Sequence, residues 1–154
     1  MADLSVKKRR LTVITKFLLD FLFYFSILAT VTLPFSIRWA GRYFPRLVER
    51  YWAVLVIYII LGIFAIVLIY ELRKIFCTVL KENCFVQENV KSLRRMGNVS
   101  FLILVMSIVR CIIYPTRAIG VVILVFIIAG LFSKVLAYVF EEAVRYKEEN
   151  DMTI

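Results

Sequence analysis

Residues 52–70, WAVLVIYIILGIFAIVLIY, contain no charged side chain. A helix needs about 20 mostly apolar residues to cross the hydrocarbon core of a bilayer, and this stretch meets that need alone. The whole chain of 154 residues is 62% hydrophobic, with a mean hydropathy of +0.87. Soluble domains are roughly 45–50% apolar. The sequence therefore predicts an integral membrane protein of one domain.

Three further apolar segments are each long enough to cross the membrane. They are residues 12–37, 97–115 and 118–140, and residues 141–154 follow as a terminal tail. The connection YPTRAIG between the last two spans is so short that they must form an antiparallel hairpin, and Pro115 stops the first of them. We predict an all-α, four-helix membrane bundle, with the second, third and fourth helices extending into the cytoplasm.

The first span follows the basic run KKRR, which superficially resembles a secretory signal. Lys16 and Asp20 interrupt the apolar core that such a signal needs, and no small-x-small cleavage site follows. We therefore expect an uncleaved first span.

Lysine and arginine predict the orientation of the four spans. With the N-terminus inside, twelve basic residues lie on the inner side and five on the outer side. The inner set is Lys7, Lys8, Arg9, Arg10, Arg73, Lys74, Lys81, Lys91, Arg94, Arg95, Arg145 and Lys147, and the outer set is Arg38, Arg42, Arg46, Arg50 and Arg117. The excess predicts a multi-pass membrane protein with both termini in the cytoplasm.

The sequence offers no catalytic or cofactor-binding pattern. It has no histidine, which is the commonest general base and metal ligand. No nucleophile elbow, phosphate-binding loop, dinucleotide fingerprint or zinc-protease motif occurs. Cys77, Cys84 and Cys111 form no CxxC pair, and packing is the expected role for them. We predict a protein that is not an enzyme and binds no cofactor or metal.

Ionised side chains inside a span are costly and usually face another polar group. Asp20 lies near the inner end of the first span, and Lys134 lies in the inner half of the fourth. Their depths match, so we predict an ion pair between them. Lys16, four residues before Asp20, could compete for the same carboxylate. A transport path normally needs several polar groups through the midplane, which is almost bare here.

Four arginines lie near the outer ends of the spans. We expect them to contact lipid phosphates, by snorkelling where they start inside a span. An alternative for the first outer loop is a receptor surface for an anionic ligand. The four are Arg38, Arg42, Arg110 and Arg117.

The inner loop, residues 71–96, keeps a helical apolar stripe through ELRKIFCTVL, so the second span should continue as an amphipathic helix. KEN at residues 81–83 offers a break, and FVQENVKSLRRMG then predicts a helix that leads into the third span. This pair could dock a partner, or it could pack against the C-terminal helix of its own chain.

Two stretches together resemble an uncharacterised bacterial family of small four-span membrane proteins, a domain of unknown function. They are NCFVQENVKSLRRMG, residues 83–97, and FEEAVRYKEENDMTI, residues 140–154. A proline often precedes the first phenylalanine in that family, and Cys84 stands in its place here. Members are often encoded beside a small helix-turn-helix regulator of the Cro type. The resemblance implies the membrane component of a regulatory pair, located in the bacterial cytoplasmic membrane.

The tail, residues 141–154, carries five acidic and two basic residues. It could fold back on the basic N-terminus and inner loop of its own chain. Alternatively, it could occupy the basic face of a DNA-binding regulator, with no direct nucleic-acid binding by this chain. In that hypothesis Asn150 and Thr153 fix the helix end, and Glu141, Glu142, Glu148, Glu149 and Asp151 supply the charge.

Three functions remain open from the sequence. The first is a membrane sensor or sequestering antagonist of a cytoplasmic regulator. The second is a small transporter, channel or immunity or resistance protein, and the third is a structural membrane subunit. No GxxxG motif occurs, so the sequence indicates no simple dimer seam.

Overall fold

A computed structural model describes residues 2–43, 51–81, 83–113 and 115–152, with the backbone alone for residues 2–9, Arg117 and Asp151. Each of the four helices in these ranges is long and apolar enough to cross a membrane. The predicted all-α, four-helix membrane architecture is confirmed. The helices are α1 (Ala2–Ala40), α2 (Tyr51–Leu80), α3 (Gln87–Ile113) and α4 (Arg117–Asp151).

Consecutive helices pack side by side in an antiparallel row. Helix α1 packs on α2, α2 on α3 and α3 on α4. Within the described ranges α1 does not approach α3 or α4. The turn that includes Lys81 and residues 83–86, the start of α1 and the end of α4 therefore lie at one end of the molecule, which we call the 81–86 end.

Several helix boundaries differ from the predicted spans because polar residues continue the helices beyond the apolar cores. Helix α1 begins at Ala2, so the run KKRR is helical, and it stays helical through Pro34. Helix α2 continues without a break to Leu80, as its apolar stripe predicts. Helix α3 ends at Ile113, just before Pro115. Residues 44–50 of the predicted first outer loop lie outside the described ranges.

The contact between α1 and α2 depends on the absence of a side chain at Gly62 and on the hydrogen bond of the Thr30 hydroxyl. Gly62 of α2 lies against Thr30 of α1, and a Cβ at Gly62 would lie 2.6 Å from the Thr30 Oγ1. The Thr30 hydroxyl donates to the Ser26 carbonyl at 2.8 Å, which leaves no unsatisfied donor toward lipid. Ile37, Val54 and Leu55 form the apolar cluster at the far end of this contact.

A second apolar cluster joins the other three helices near the 81–86 end. Ile75 of α2, Leu93 of α3 and Ala137 of α4 are buried together. Helix α3 is central to this packing, since it contacts α2 on one side and α4 on the other. The row is therefore best packed at the 81–86 end.

The helices are longer than a bilayer needs. Helix α2 has 30 residues and α4 has 35, which corresponds to about 45 and 52 Å at the rise of an α-helix. The hydrocarbon core is only about 30 Å thick. The polar ends of α2, α3 and α4 meet at the 81–86 end, so the excess length projects there.

Candidate functional site

Three polar pairs connect the four helices at one level near the 81–86 end. Each pair joins two neighbouring helices of the row, and together they include ionisable groups from every helix. We call this set the ionic layer. Its members are Asp20 with Arg73, Glu71 with Arg95, and Asn98 with Lys134.

The first pair joins α1 to α2. The Arg73 Nε donates to the Asp20 Oδ1 at 2.5 Å, and the guanidinium lies 4.5 Å from the centroid of the Phe23 ring. An arginine over an aromatic face gains a cation–π attraction in addition to its ion pair. The Phe23 ring in turn lies 6.3 Å from the Tyr70 ring, between centroids. The arginine is thus fixed between the two helices.

The second pair joins α2 to α3 and is asymmetric in burial. The Arg95 Nη1 donates to the Glu71 Oε1 at 3.1 Å, and the side chains are 66% and 4% exposed respectively. The other carboxylate oxygen, Glu71 Oε2, is buried and has no hydrogen-bond partner among the described residues. A buried carboxylate needs a compensating partner, so Glu71 depends on Arg95.

The third pair joins α3 to α4. The Lys134 Nζ donates to the Asn98 Oδ1 at 2.5 Å. The lysine stem crosses Gly97, where an added Cβ would lie 3.0 Å from the Lys134 Cγ. Gly97 thereby lets the two helices approach, as small residues commonly do in membrane interfaces.

The predicted ion pair between Asp20 and Lys134 is wrong. Asp20 binds Arg73, and Lys134 binds Asn98. The physical reason is the open row, because α1 and α4 are its two edges and do not approach each other within the described ranges. Lys16 is also not the residue that pairs with Asp20. Both predicted residues nevertheless belong to the ionic layer.

The turn at residues 81–86 is held by a buried asparagine. Asn89 is completely buried, and its Nδ2 donates at 2.7 Å to the Cys84 carbonyl and at 2.7 Å to the Thr78 Oγ1. Position 84 contributes a backbone carbonyl, which any residue supplies. The turn can therefore form with cysteine at this position.

The end of α4 packs on the start of α3 and on the turn. The Arg94 Nη2 donates to the Glu141 Oε2 at 2.6 Å, and the Phe85 and Phe140 rings lie 5.4 Å apart between centroids. The Lys147 Nζ donates to the Asn83 Oδ1 at 3.1 Å. Of the two alternatives for the inner loop, packing against its own C-terminal helix is therefore observed. Glu141 belongs to this docked inner face.

The last turns of α4 expose side chains on the far side of the helix and at the edge of the docked side. Tyr146 and Met152 are 61% and 80% exposed. The Arg145 guanidinium contacts the Glu142 carboxylate, and its Nε lies 3.8 Å from the Glu149 Oε1. Glu148 and Asn150 are also exposed. We call the exposed residues Glu142, Arg145, Tyr146, Glu148, Glu149 and Met152 the outer face of α4. Glu148, seven positions after Glu141, lies at its border with the docked side.

The helix end is built differently from the prediction. Helix α4 continues through Asn150, and its C-cap is Met152, whose N–H donates to the Glu148 carbonyl at 3.2 Å. Asn150 is thus a residue of the helix rather than its cap. Thr153 and the side chain of Asp151 lie outside the described residues.

The arginines predicted to contact lipid lie at the other end of the row. The Arg110 Nη1 donates to the Thr116 Oγ1 at 3.3 Å, and its guanidinium lies 5.2 Å from the Tyr58 centroid. Arg38 lies 5.8 Å from the Tyr51 centroid. Arg42 is exposed in the turn at residues 41–43, and Arg117 starts α4. Their contact with lipid stays a prediction.

Residues 23–154 match the model of a family described as a protein of unknown function (DUF2975). The chain belongs to this family. The matched range includes five of the six residues of the ionic layer, and only Asp20 precedes it. No curated protein and no solved structure matches the chain.

The family stretch at residues 83–97 gains a structural explanation. Its second asparagine, Asn89, holds the turn. Its two arginines bind different helices: Arg94 binds Glu141 of α4, and Arg95 binds Glu71 of α2. Its glycine, Gly97, admits the Lys134 stem. Sequence reasoning missed these roles. The signal for Glu71 was its place in the apolar stripe of α2, four residues before Ile75 on the same side of the helix.

The described residues contain no group of three or more His, Cys, Asp or Glu side chains that could hold a metal ion. The cysteines Cys77, Cys84 and Cys111 are free and partly buried.

Proposed function

We propose that this protein is a non-enzymatic membrane partner of a small, basic helix-turn-helix DNA-binding regulator, which it holds at the cytoplasmic side of a bacterial membrane. The observation that carries the proposal is that the end of α4 has both a docked face and an exposed face. Its inner face is docked on α3 and on the turn, while its outer face is exposed.

The docked inner face positions the outer face. Val144, one of the most deeply buried residues, and the Glu141–Arg94 ion pair fix the direction of the helix. A partner that binds a helix already held in place has less conformational entropy to lose. This distinguishes the end of α4 from a flexible acidic tail.

The outer face suits a basic partner. Arg145 contacts both Glu142 and Glu149 and offsets part of their charge, so Glu148 becomes important for attraction. Tyr146 and Met152 add exposed apolar surface, and aromatic and methionine side chains are enriched in protein interfaces. DNA-binding modules present a basic surface, so binding should weaken as salt concentration rises.

The ionic layer offers a route by which the membrane could control the partner. Each neighbouring pair of helices has at least one polar link near this level, and Lys134 precedes Glu141 by about two turns of α4. A signal that alters the packing of the spans would therefore move the end of α4. A docked regulator would be released when that helix shifts.

A capture experiment from native membranes tests the proposal. The baits are the intact chain, a chain ending after Lys147, and the variant Glu148→Lys. Ending after Lys147 keeps the whole docked inner face, including Glu141 and Lys147. The matched control is Glu88→Lys, which reverses one exposed charge on α3 outside the outer face.

We expect the intact chain and the Glu88→Lys control to retain the same small DNA-binding protein, and the other two baits to lose most of it. Equal recovery by all four baits would exclude residues 148–152 of the outer face as the docking surface. A DNA-binding protein absent from every bait, at equal amounts of inserted protein, would contradict the proposed function.

A second candidate function is a small transporter or channel. It is favoured by a line of buried serines on one side of α3, which are Ser92, Ser100 and Ser107. Flux across liposomes that falls on Ser107→Ala would favour it. A stable membrane-protein partner without flux would favour a structural subunit instead.

A further inference from the structure

Two basic residues of α3 lie one turn apart on its exposed side. Lys91 and Arg95 are both exposed, and residues four positions apart in a helix have Cβ atoms about 5–6 Å apart. Their neighbour Arg94 is turned toward Glu141 of α4. Lys91 and Arg95 therefore form a separate cationic pair.

Helix lengths place this pair at the boundary of the bilayer. Lys91 and Arg110 are 19 positions apart on α3, which is about 28 Å and close to the thickness of the hydrocarbon core, about 30 Å. Trp52 and Glu71 are likewise 19 positions apart on α2. The 19-residue stretch ends at Lys91 on α3 and at Glu71, the partner of Arg95, on α2. Lys91 and Arg95 are one helical turn apart, and both therefore lie near the level of the lipid headgroups.

The buried Glu71 holds Arg95 in place without using all of its donors. A guanidinium has five N–H donors, and Arg95 uses Nη1 on Glu71 Oε1 at 3.1 Å while 66% of its side chain stays exposed. An oriented guanidinium binds phosphate oxygens well, because its planar donors match their geometry. The remaining donors of Arg95 are available at the lipid boundary.

The charged side chains around Lys91 and Arg95 have other partners or lie farther from the bilayer, so this pair can bind an anion. On α2, Arg73 is held by Asp20, and Glu71 is buried under Arg95. The acidic residue Glu88 precedes Lys91 by three positions and lies farther from the bilayer. On α4, Glu141 is occupied by Arg94.

We propose that Lys91 and Arg95 bind the phosphate group of an anionic lipid in the leaflet at the 81–86 end. Lys91 supplies a charge, and Arg95 supplies oriented donors. The bound lipid would thereby contact the Glu71–Arg95 ion pair that joins α2 to α3. This inference is independent of the proposed DNA-binding partner.

The test measures equilibrium binding of labelled phosphatidylglycerol to the full chain in zwitterionic detergent, with phosphatidylcholine as the neutral lipid. The variants are Lys91→Gln, and Lys91→Gln combined with Arg95→Gln and Glu71→Gln, which avoids an unpaired buried carboxylate. The control is Lys81→Gln, which removes one exposed charge in the turn. Inorganic phosphate is added as a competitor in a separate arm.

We expect Lys91→Gln to weaken phosphatidylglycerol binding about five-fold, the effect of one basic residue near a membrane surface. The combined variant should lose more than ten-fold, and Lys81→Gln should change the affinity less than two-fold. Equal binding of both lipids, or equal losses for Lys91→Gln and Lys81→Gln, would overturn the site. Displacement of the lipid by millimolar inorganic phosphate would overturn its assignment to lipid.

Discussion

At the scale of single residues, Glu71 is the side chain most dependent on one neighbour. It is almost fully buried, and Arg95 donates to one of its oxygens. We predict that Arg95→Gln lowers the free energy of unfolding by about 3 kcal/mol, because breaking such a pair leaves an uncompensated buried charge. Thermal unfolding of the purified protein in detergent measures this change.

The adjacent arginine provides a matched control. Arg94 and Glu141 are both about half exposed, at 49% and 44%, so Arg94→Gln should cost less than about 1 kcal/mol. Glu71→Gln added to Arg95→Gln should restore most of the loss. Equal losses for the two arginine variants would show that the burial of Glu71 has no energetic consequence.

The partner of Asp20 can be checked by a double-mutant cycle. We predict a coupling energy of about 1 kcal/mol between Asp20→Asn and Arg73→Gln, because the two side chains share one charged hydrogen bond. Asp20→Asn and Lys134→Gln should be additive within about 0.5 kcal/mol, since distant sites rarely couple. The readout is again the free energy of unfolding. A coupling energy between Asp20 and Lys134 would contradict the open row and favour the predicted ion pair between these two residues.

At the scale of helices, close approach at Gly62 holds α1 against α2. A Cβ there would lie 2.6 Å from the Thr30 Oγ1, and threonine is stiff about its first torsion in a helix. We predict that Gly62→Ala lowers the free energy of unfolding by about 1–3 kcal/mol, the usual cost of overpacking. Denaturant unfolding in detergent micelles measures it.

Gly120 and Thr30 provide the controls for that prediction. A Cβ at Gly120 meets no atom within 4 Å, so Gly120→Ala should be neutral or slightly stabilising through helix propensity. Thr30→Ala added to Gly62→Ala should recover part of the loss, because it removes both clashing atoms. A loss at Gly120 as large as that at Gly62 would contradict an effect of packing.

The helices themselves could be predicted from the sequence, but their neighbours could not. Apolar length alone locates four spans, since the bilayer sets the required length. The order of helices in space depends on which sides pack, and a closed bundle and an open row share the same apolar pattern. The predicted pair of Asp20 and Lys134 assumes a closed bundle, whereas in the open row Asp20 pairs with Arg73.

The end of α4 likewise could be predicted only in part from the sequence. A count of charge treats Glu141 and Glu142 alike, whereas successive residues of a helix point in different directions. Glu141 therefore binds Arg94, and Glu142 lies on the outer face with Arg145. The acidic composition was visible in the sequence, but the division into docked and exposed faces required the position of α3.

At the scale of the whole molecule, the ionic layer, the turn and the end of α4 all lie at one polar end of the row. Every function proposed for the outer face requires this end to lie in the cytoplasm. The positive-inside rule predicts that orientation from the excess of lysine and arginine around it. The arginines at the opposite end make the orientation worth measuring directly.

Sided labelling of single cysteines tests this orientation. In a chain whose three native cysteines are replaced by alanine, Gln87→Cys and Tyr43→Cys place one exposed thiol at each end of the row. Neither change alters a charge, so neither biases insertion. With intact cells and a membrane-impermeant maleimide, we expect Tyr43→Cys to react directly and Gln87→Cys to react only after the membrane is opened. The reverse pattern would place the outer face of α4 outside the cell, where a DNA-binding protein could not reach it.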